Sequence, residues 1–207
     1  MDDQDVLLLE QRARGGDSAA LAEYFHIQRP RLRRVVDIRL DARLRGRVDP
    51  SDVLQEAFLD LSKKLSNFVS RERPISMFVW MRLVATERVL QIHRNHFGVE
   101  ARDVKREVQW QFSGAATSVF LAEQLLVNFG SAEHRVVQEE LRAMLVATLD
   151  AMEPLDREVI TMRFFEELTN GEVAEALGIT KNGASSRFVR AMTRLKKDLS
   201  NIPGFFD

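Results

Sequence analysis

Apolar residues recur at intervals of three and four along most of this chain, the spacing of one helical face, while runs alternating apolar with polar are few. The pattern predicts a first helix over Asp3–Arg14 on Val6, Leu7 and Leu9, ended by Gly15-Gly16. Asp17 or Ser18 caps a second, with Leu21, Tyr24 and Phe25 inward, and Pro30 marks a break or a kink. A basic helix follows, with Arg31, Arg33, Arg34, Arg39, Arg43 and Arg45 around Leu32, Val35, Val36, Ile38 and Leu40. These arginines read either as a solvated face paired with nearby acids or as DNA contacts. Gly46 opens a loop, and Asp49-Pro50-Ser51 starts the next helix, with proline in the first turn where its missing N–H does no harm. Over residues 50–66, Val53, Leu54, Ala57, Phe58, Leu61 and Leu65 form a clear face. A loop with Pro74 covers 67–75, and a long helix covers 76–95, carrying Met77, Phe78, Trp80, Met81, Leu83, Val84, Val89, Leu90 and Ile92. Residues 97–130 are less regular and read as a linker. Helices resume over about 132–150, 154–164, 171–177 and 181–197. The expectation is an all-α protein of two helical domains, 1–96 and 131–207, joined by the linker 97–130.

Composition sharpens this picture in three ways. The chain has 207 residues, 45% hydrophobic and 29% charged, with a net charge of only −1. The charges are segregated: residues 49–60 hold Asp49, Asp52, Glu56 and Asp60 and no base, whereas the last long helix is strongly positive. Such segregation suggests one surface for nucleic acid and another for a protein. Cysteine is absent, which removes disulfides and thiolate metal sites. The acidic start, with an apolar run of only residues 6–9, is too short for a signal peptide, and no segment approaches a membrane span, so a cytoplasmic protein without membrane insertion is expected.

The most informative stretch is TNGEVAEALGITKNGASSRFVRAMTRLKK, residues 169–197. Val173, Ala174 and Leu177 share one side of a short helix. Gly178 supplies the left-handed residue that ends it, Ile179 plugs the corner, and Thr180 caps a second helix. That helix has an apolar stripe of Phe188, Ala191, Met192 and Leu195, and elsewhere Lys181, Arg187, Arg190, Arg194, Lys196 and Lys197 with no acid among them. A short helix, a tight glycine turn and a basic second helix describe a DNA-binding helix-turn-helix. Upstream, Asp52, Glu56 and Asp60 at i, i+4 and i+8 form an acidic stripe that reads equally as a docking surface for a basic partner or as plain solubility. Arg82, Arg88, Arg94, His93 and His96 decorate the helix of Trp80, where aromatics near arginines can stack on unpaired bases, although an aromatic on an apolar helical face is usually core. His93 and His96 have no ligand array around them, and no catalytic constellation, phosphate loop, metal site or cofactor motif is legible.

Taken together, the layout resembles a bacterial RNA polymerase sigma factor of the sigma-70 family, of the two-domain extracytoplasmic-function (ECF) type, with region 2 and region 4. DPSDVLQEAFLDLSKKLSNF at 49–68 is similar to the polymerase-binding part of region 2, and WMRLVATERVLQIHRN at 80–95 to its DNA-melting part. LDAMEPLDREVITMRFFEELTNGEVAEALGITKNGASSRFVRAMTRLKK at 149–197 is similar to region 4, and RDVKREV at 102–108 to a linker of planctomycete-like members. The resemblance implies that Asp52, Leu54, Gln55, Glu56 and Phe58 meet the β′ clamp of core RNA polymerase. It implies that Trp80, Arg82, Glu87, Arg88, Gln91 and Arg94 meet the −10 element of promoter DNA as it melts. Lys181, Asn182, Ser185, Ser186, Arg187 and Arg190 would read the −35 element, and the region 4 surface would touch the β flap. Control by an anti-sigma factor is implied as well.

Two departures from the family pattern stand out. Thr86-Glu87 replaces a common Arg-Asn pair, and a carboxylate cannot donate a hydrogen bond to a base and repels phosphate. Gly183 weakens the start of the recognition helix by up to ~1 kcal/mol and also lets backbone approach DNA closely. Two other readings stay open. A stand-alone helix-turn-helix regulator acting as a dimer would bind a palindromic site without polymerase, and a sigma-like adaptor would only bind proteins. An enzyme finds no support in the residues.

Overall fold

The computed structural model describes residues 3–70, 75–97, 115–129 and 135–202. The RDVKREV segment at 102–108, singled out in the sequence, lies outside them. Among the described residues every regular element is helical. The chain divides into two compact units, one of residues 1–37 and 44–98, the other of residues 38–43 and 99–207.

The first unit is built on α1 (Asp3–Arg14), most of α2 (Ser18–Arg39), α3 (Pro50–Val69) and α4 (Met77–Phe97). Gly16 leaves α1 with a φ of +93°. Asp17 is the residue that caps α2, its Oδ1 accepting the N–H groups of Ala19 and Ala20 at 2.9 and 3.0 Å. The Ala20 bond first, and then Arg12, hold its carboxyl below the usual aspartate range. Pro30 neither breaks nor ends α2. It stands on the exposed side of the helix, as does His26, whose carbonyl lacks its usual helical N–H partner because proline has none. The basic run does not stay helical to Arg45, because a 3-10 turn at Ala42–Leu44 follows Arg39. Its arginines pair locally: Arg33 with Asp37, Arg43 with Asp41, and Arg31 over the Phe78 ring at 3.7 Å.

Asp49 caps α3 by accepting the Ser51 N–H at 2.7 Å, as the Asp-Pro-Ser sequence predicts. Leu54, Ala57 and Leu61 are fully buried on its inner face. Aromatic contacts complete the packing, with Phe25 against Phe58 at 5.0 Å and Phe68 stacked on Trp80 at 4.2 Å. One carboxylate ties three helices together: Glu10 accepts from the Met77 N–H at the start of α4, from Arg14 and from the Tyr24 hydroxyl.

The second unit holds α5 (Ala115–Phe129), α6 (Arg135–Ala151), α7 (Pro154–Ile160), α8 (Asn170–Leu177) and α9 (Lys181–Leu199). Its core gathers Leu121, Leu125, Leu145, Leu149, Ile160 and Leu195. Helix α5 falls within residues 97–130, where the sequence pattern predicts a linker. AATSVFLAEQLLVNF carries one charge and is apolar almost all round, so it has no polar face to reveal a helical period. Helix α7 also ends early, in a wide turn over Thr161–Phe165 where the Glu166 N–H reaches back five residues to the Thr161 carbonyl.

Two buried arginines brace this unit. Arg157 donates to the Leu149 carbonyl, Ser118 and Asp150 at 2.7–2.9 Å, while burial pushes its pKa down. Arg39 donates to Glu158 and Glu166. Burial opposes its charge, and the two carboxylates more than reverse that effect.

Candidate nucleic-acid interface

The helix-turn-helix is set by four capping residues. Thr169 accepts the Glu172 N–H while Glu172 accepts the Thr169 N–H, a reciprocal box that fixes the start of α8. Gly178 takes a φ of +65° and ends α8, and the Ile179 N–H closes the turn on the Ala174 carbonyl at 3.0 Å. Thr180 then accepts the Gly183 N–H at 3.0 Å and starts α9. A Cβ at position 183 would lie 3.0 Å from the Thr180 hydroxyl, so glycine here leaves room for the cap.

Helix α9 buries Ala184, Ala191 and Leu195, with Phe188 and Met192 half-buried beside them. Its outer side presents Lys181, Asn182, Ser186, Arg190 and Arg194 to solvent, and Ser185 is half-buried at the margin. Val189 lies on the same outer side, seven residues after Asn182 and three after Ser186, and is 58% exposed. The sequence reading passed over it, although its displacement from the apolar stripe of Phe188 and Met192 was a visible signal. Arg187 points elsewhere. Its guanidinium donates to Glu153 and Asp156 at the start of α7, at 2.6 and 2.7 Å. Burial works against its charge, yet the bonds to the two carboxylates raise its pKa.

On α4 the predicted residues separate into two groups. Trp80 and Arg82 are 3% and 2% exposed, so neither offers a side chain to a nucleic acid in this structure. The Trp80 ring is occupied by its stack on Phe68, the outcome expected of an aromatic on an apolar helical face. Glu87, Gln91 and Arg94 are exposed along one side. Glu87 pairs with Lys64 of α3 at 3.2 Å, so the carboxylate that looked repulsive toward phosphate is balanced locally. Thr86 beside it is buried and belongs to the core. Arg88 is half-buried between Asp60 and Glu56 of α3.

On α3, Asp52, Gln55 and Glu56 are exposed, whereas Leu54 is fully buried and Phe58 is half-buried against Phe25. The apolar residue on the acidic side is Leu59, 53% exposed, at i+7 from Asp52 and i+3 from Glu56. It falls out of register with the inward stripe of Leu54, Phe58, Leu61 and Leu65, which is how the sequence could have revealed it. The second unit adds an apolar cavity of about 200 Å³ lined by Leu125, Ile160, Phe165, Met192 and Leu195, with Phe164 at 49% exposure. Among the described residues no three His, Cys, Asp or Glu side chains are grouped to hold a metal. No described helix is long and apolar enough to cross a membrane.

The second unit holds a helix-turn-helix with an outer basic helix, the geometry of a DNA-binding module, and the first unit holds an acidic helix; every described element is helical. Residues 142–195 match the family model of sigma-70, region 4. Over 200 residues the chain is 24% identical to the RNA polymerase sigma-H factor of Pseudomonas aeruginosa, covering 97% of this chain and 96% of that one. Over 71 residues it is 31% identical to the RNA polymerase sigma-E factor of Streptomyces avermitilis, 34% of this chain and 40% of the relative's length. The structure of CnrH in complex with the cytosolic domain of CnrY shares the fold, with a TM-score of 0.52 at 18% identity over 94% of this chain and 96% of that one. The chain is thus similar to RNA polymerase sigma factors, over residues 142–195 to the sigma-70 region 4 family model and along nearly its whole length to the sigma-H factor.

Proposed function

We propose that this chain works as an alternative sigma factor that binds core RNA polymerase and directs initiation at its own set of promoters. The observation that carries the reading is the pairing of two unlike surfaces. The first unit exposes Asp52, Gln55, Glu56 and Leu59 along α3. The second exposes Lys181, Asn182, Ser186, Val189 and Arg190 along α9.

The α3 surface fits a basic partner with an apolar spot, the role assigned to the β′ clamp. On α9, short polar side chains suit base edges, Lys181 and Arg190 suit phosphates, and Val189 suits the methyl group of a thymine in the −35 element. Arg187 acts through α7, fixing how α9 is presented. On α4, Glu87, Gln91 and Arg94 form the exposed side turned to the −10 strand. The apolar cavity beside Phe164 offers the β flap a surface, and an anti-sigma factor covering these faces would keep the free chain idle. Two units on one chain hold their two targets together through effective concentration, with no covalent chemistry required.

The test is run-off transcription with core polymerase from the source organism and its genomic fragments. New discrete start sites that need this chain support the reading. Specific duplex binding by the chain alone, without any new transcript, replaces it with the stand-alone dimeric regulator.

A further inference from the structure

Arg88 is a cation with its charge already taken. Its Nη2 lies 2.5 Å from Asp60 Oδ2 and its Nη1 lies 3.5 Å from Glu56 Oε2, and Nη1 also donates to Gln91 at 3.1 Å. The arginine side chain is 20% exposed and Asp60 27%, so this pairing is screened less than a free surface pair, whereas Glu56 is 55% exposed and reachable from outside. One turn further along the same helix pair, Lys64 and Glu87 form a second bridge. The charges that would attract a basic protein and the charge that would attract DNA phosphate are therefore bonded to one another across α3 and α4.

We propose that this pairing is a lock that couples the two binding events: Glu56 and Asp60 hold Arg88 away from DNA in the free chain, and a cationic partner engaging the α3 acids releases it. The proposal rests on the sigma-factor reading for the identity of that partner. Two carboxylates facing one guanidinium leave little net positive charge for phosphate. A partner lysine or arginine on Glu56 supplies the missing counter-charge, after which Arg88 can swing to a phosphate beside Gln91 and Arg94. The sequence spacing supports this. Glu56 and Asp60 are one helical turn apart on α3, so one cation can span both, and replacing it by another leaves the acids satisfied. Arg88 is thus a phosphate-contacting residue for strand capture whose availability is set by the polymerase side of the unit.

The test is a double-mutant cycle on the full free chain with Asp60→Asn and Arg88→Gln, read by fluorescence anisotropy with a single-stranded oligodeoxynucleotide at low salt. Asp60→Asn keeps the side-chain shape and removes one charge. It should tighten binding about 3-fold to 10-fold when Arg88 is present, and by less than about 2-fold when Arg88 is glutamine. Equal tightening in both backgrounds would mean that Asp60 acts only as a distant negative charge, and no tightening would mean that Arg88 is not held; either overturns the lock. Circular dichroism melts of the three variants confirm that each is folded at the assay temperature. With core polymerase added, wild-type and Asp60→Asn chains should converge in affinity, since the clamp has already taken the acids; a persistent gap also overturns the lock. A chain that passes the free-protein cycle yet yields no transcript with polymerase retains the Arg88 pairing and loses the sigma-factor reading, so the two failures are told apart.

Discussion

An arginine on a recognition helix contributes to DNA binding only if its charge faces outward, and here neighbouring carboxylates decide that. Arg187 is bonded to Glu153 and Asp156, while Val189, uncharged, stands in the open. The two residues should therefore fail in different ways. Arg187→Ala should lower the thermal midpoint of the protein by a few degrees, corresponding to roughly 0.5–1 kcal/mol, because it cuts the tie between α9 and the start of α7. Val189→Ser should leave the melt unchanged and weaken binding to a −35 duplex several-fold, with the loss largest where a thymine methyl is removed by substituting deoxyuridine. Acid behaviour offers another check on single residues. The Ser51 N–H bond, above all other effects, lowers the Asp49 carboxyl from its ordinary value of 3.8. A lowered folded-state pKa means that the charged cap stabilises the fold above that ordinary value and that the contribution is lost as pH falls through the folded value. Asp49→Asn keeps a capping oxygen without the charge. The difference in thermal midpoint between wild type and Asp49→Asn should be present at pH 7, begin to shrink as pH drops below 3.8, and vanish below the lower folded-state value, where the folded wild type loses the charge as well.

At the scale of elements, α8 and α9 depend on their ends more than on their lengths. Eight residues of helix are too few to persist alone, so the Thr169–Glu172 box and Gly178 do much of the work of holding α8 in place. Thr169→Ala should cost about 1 kcal/mol and Gly178→Ala about 1–2 kcal/mol, the latter because a Cβ is strained at a φ of +65°. Both should weaken duplex binding through loss of α9 orientation, as heat denaturation and anisotropy on the same samples would show. These devices were legible in the sequence because they are local: a glycine at a helix end and a threonine before a basic run declare themselves within a few residues. The same holds for Asp49-Pro50 at the start of α3. What escaped was set by distant partners. Pro30 fits inside α2 because of where that face points, and the helix α5 has no polar side to give it a period. The wide turn after Ile160 has no signature in the bare sequence. The candidate site divides along the same line. The outer residues of α9 could be listed from helical spacing, whereas the burial of Trp80, Arg82 and Leu54, the diversion of Arg187 and the holding of Arg88 depend on what packs opposite.

For the molecule as a whole, the decisive question is whether the two surfaces serve two different targets. If α3 binds polymerase and α9 reads promoter DNA, damage to each should have its own signature. Asp52→Arg combined with Glu56→Arg reverses charge on exposed positions and spares the buried face of Leu54, Ala57 and Leu61, so the chain should stay folded. Transcripts should then be lost from every promoter the chain uses, because the polymerase is no longer recruited, while binding of the chain to a −35 duplex persists. Asn182→Ala combined with Ser186→Ala removes two exposed side chains suited to base edges without changing charge. Each lost base contact is worth about 1–3 kcal/mol, so transcription should fall by one to a few orders of magnitude at promoters with a strong −35 element. It should fall much less where the −10 element dominates, and co-purification with polymerase should be intact. Run-off assays on a panel of promoters, with pull-down of core polymerase in parallel, separate these outcomes. A single shared phenotype for both double variants would mean that the chain presents one continuous binding surface, and the assignment of clamp to one unit and duplex to the other would have to be given up.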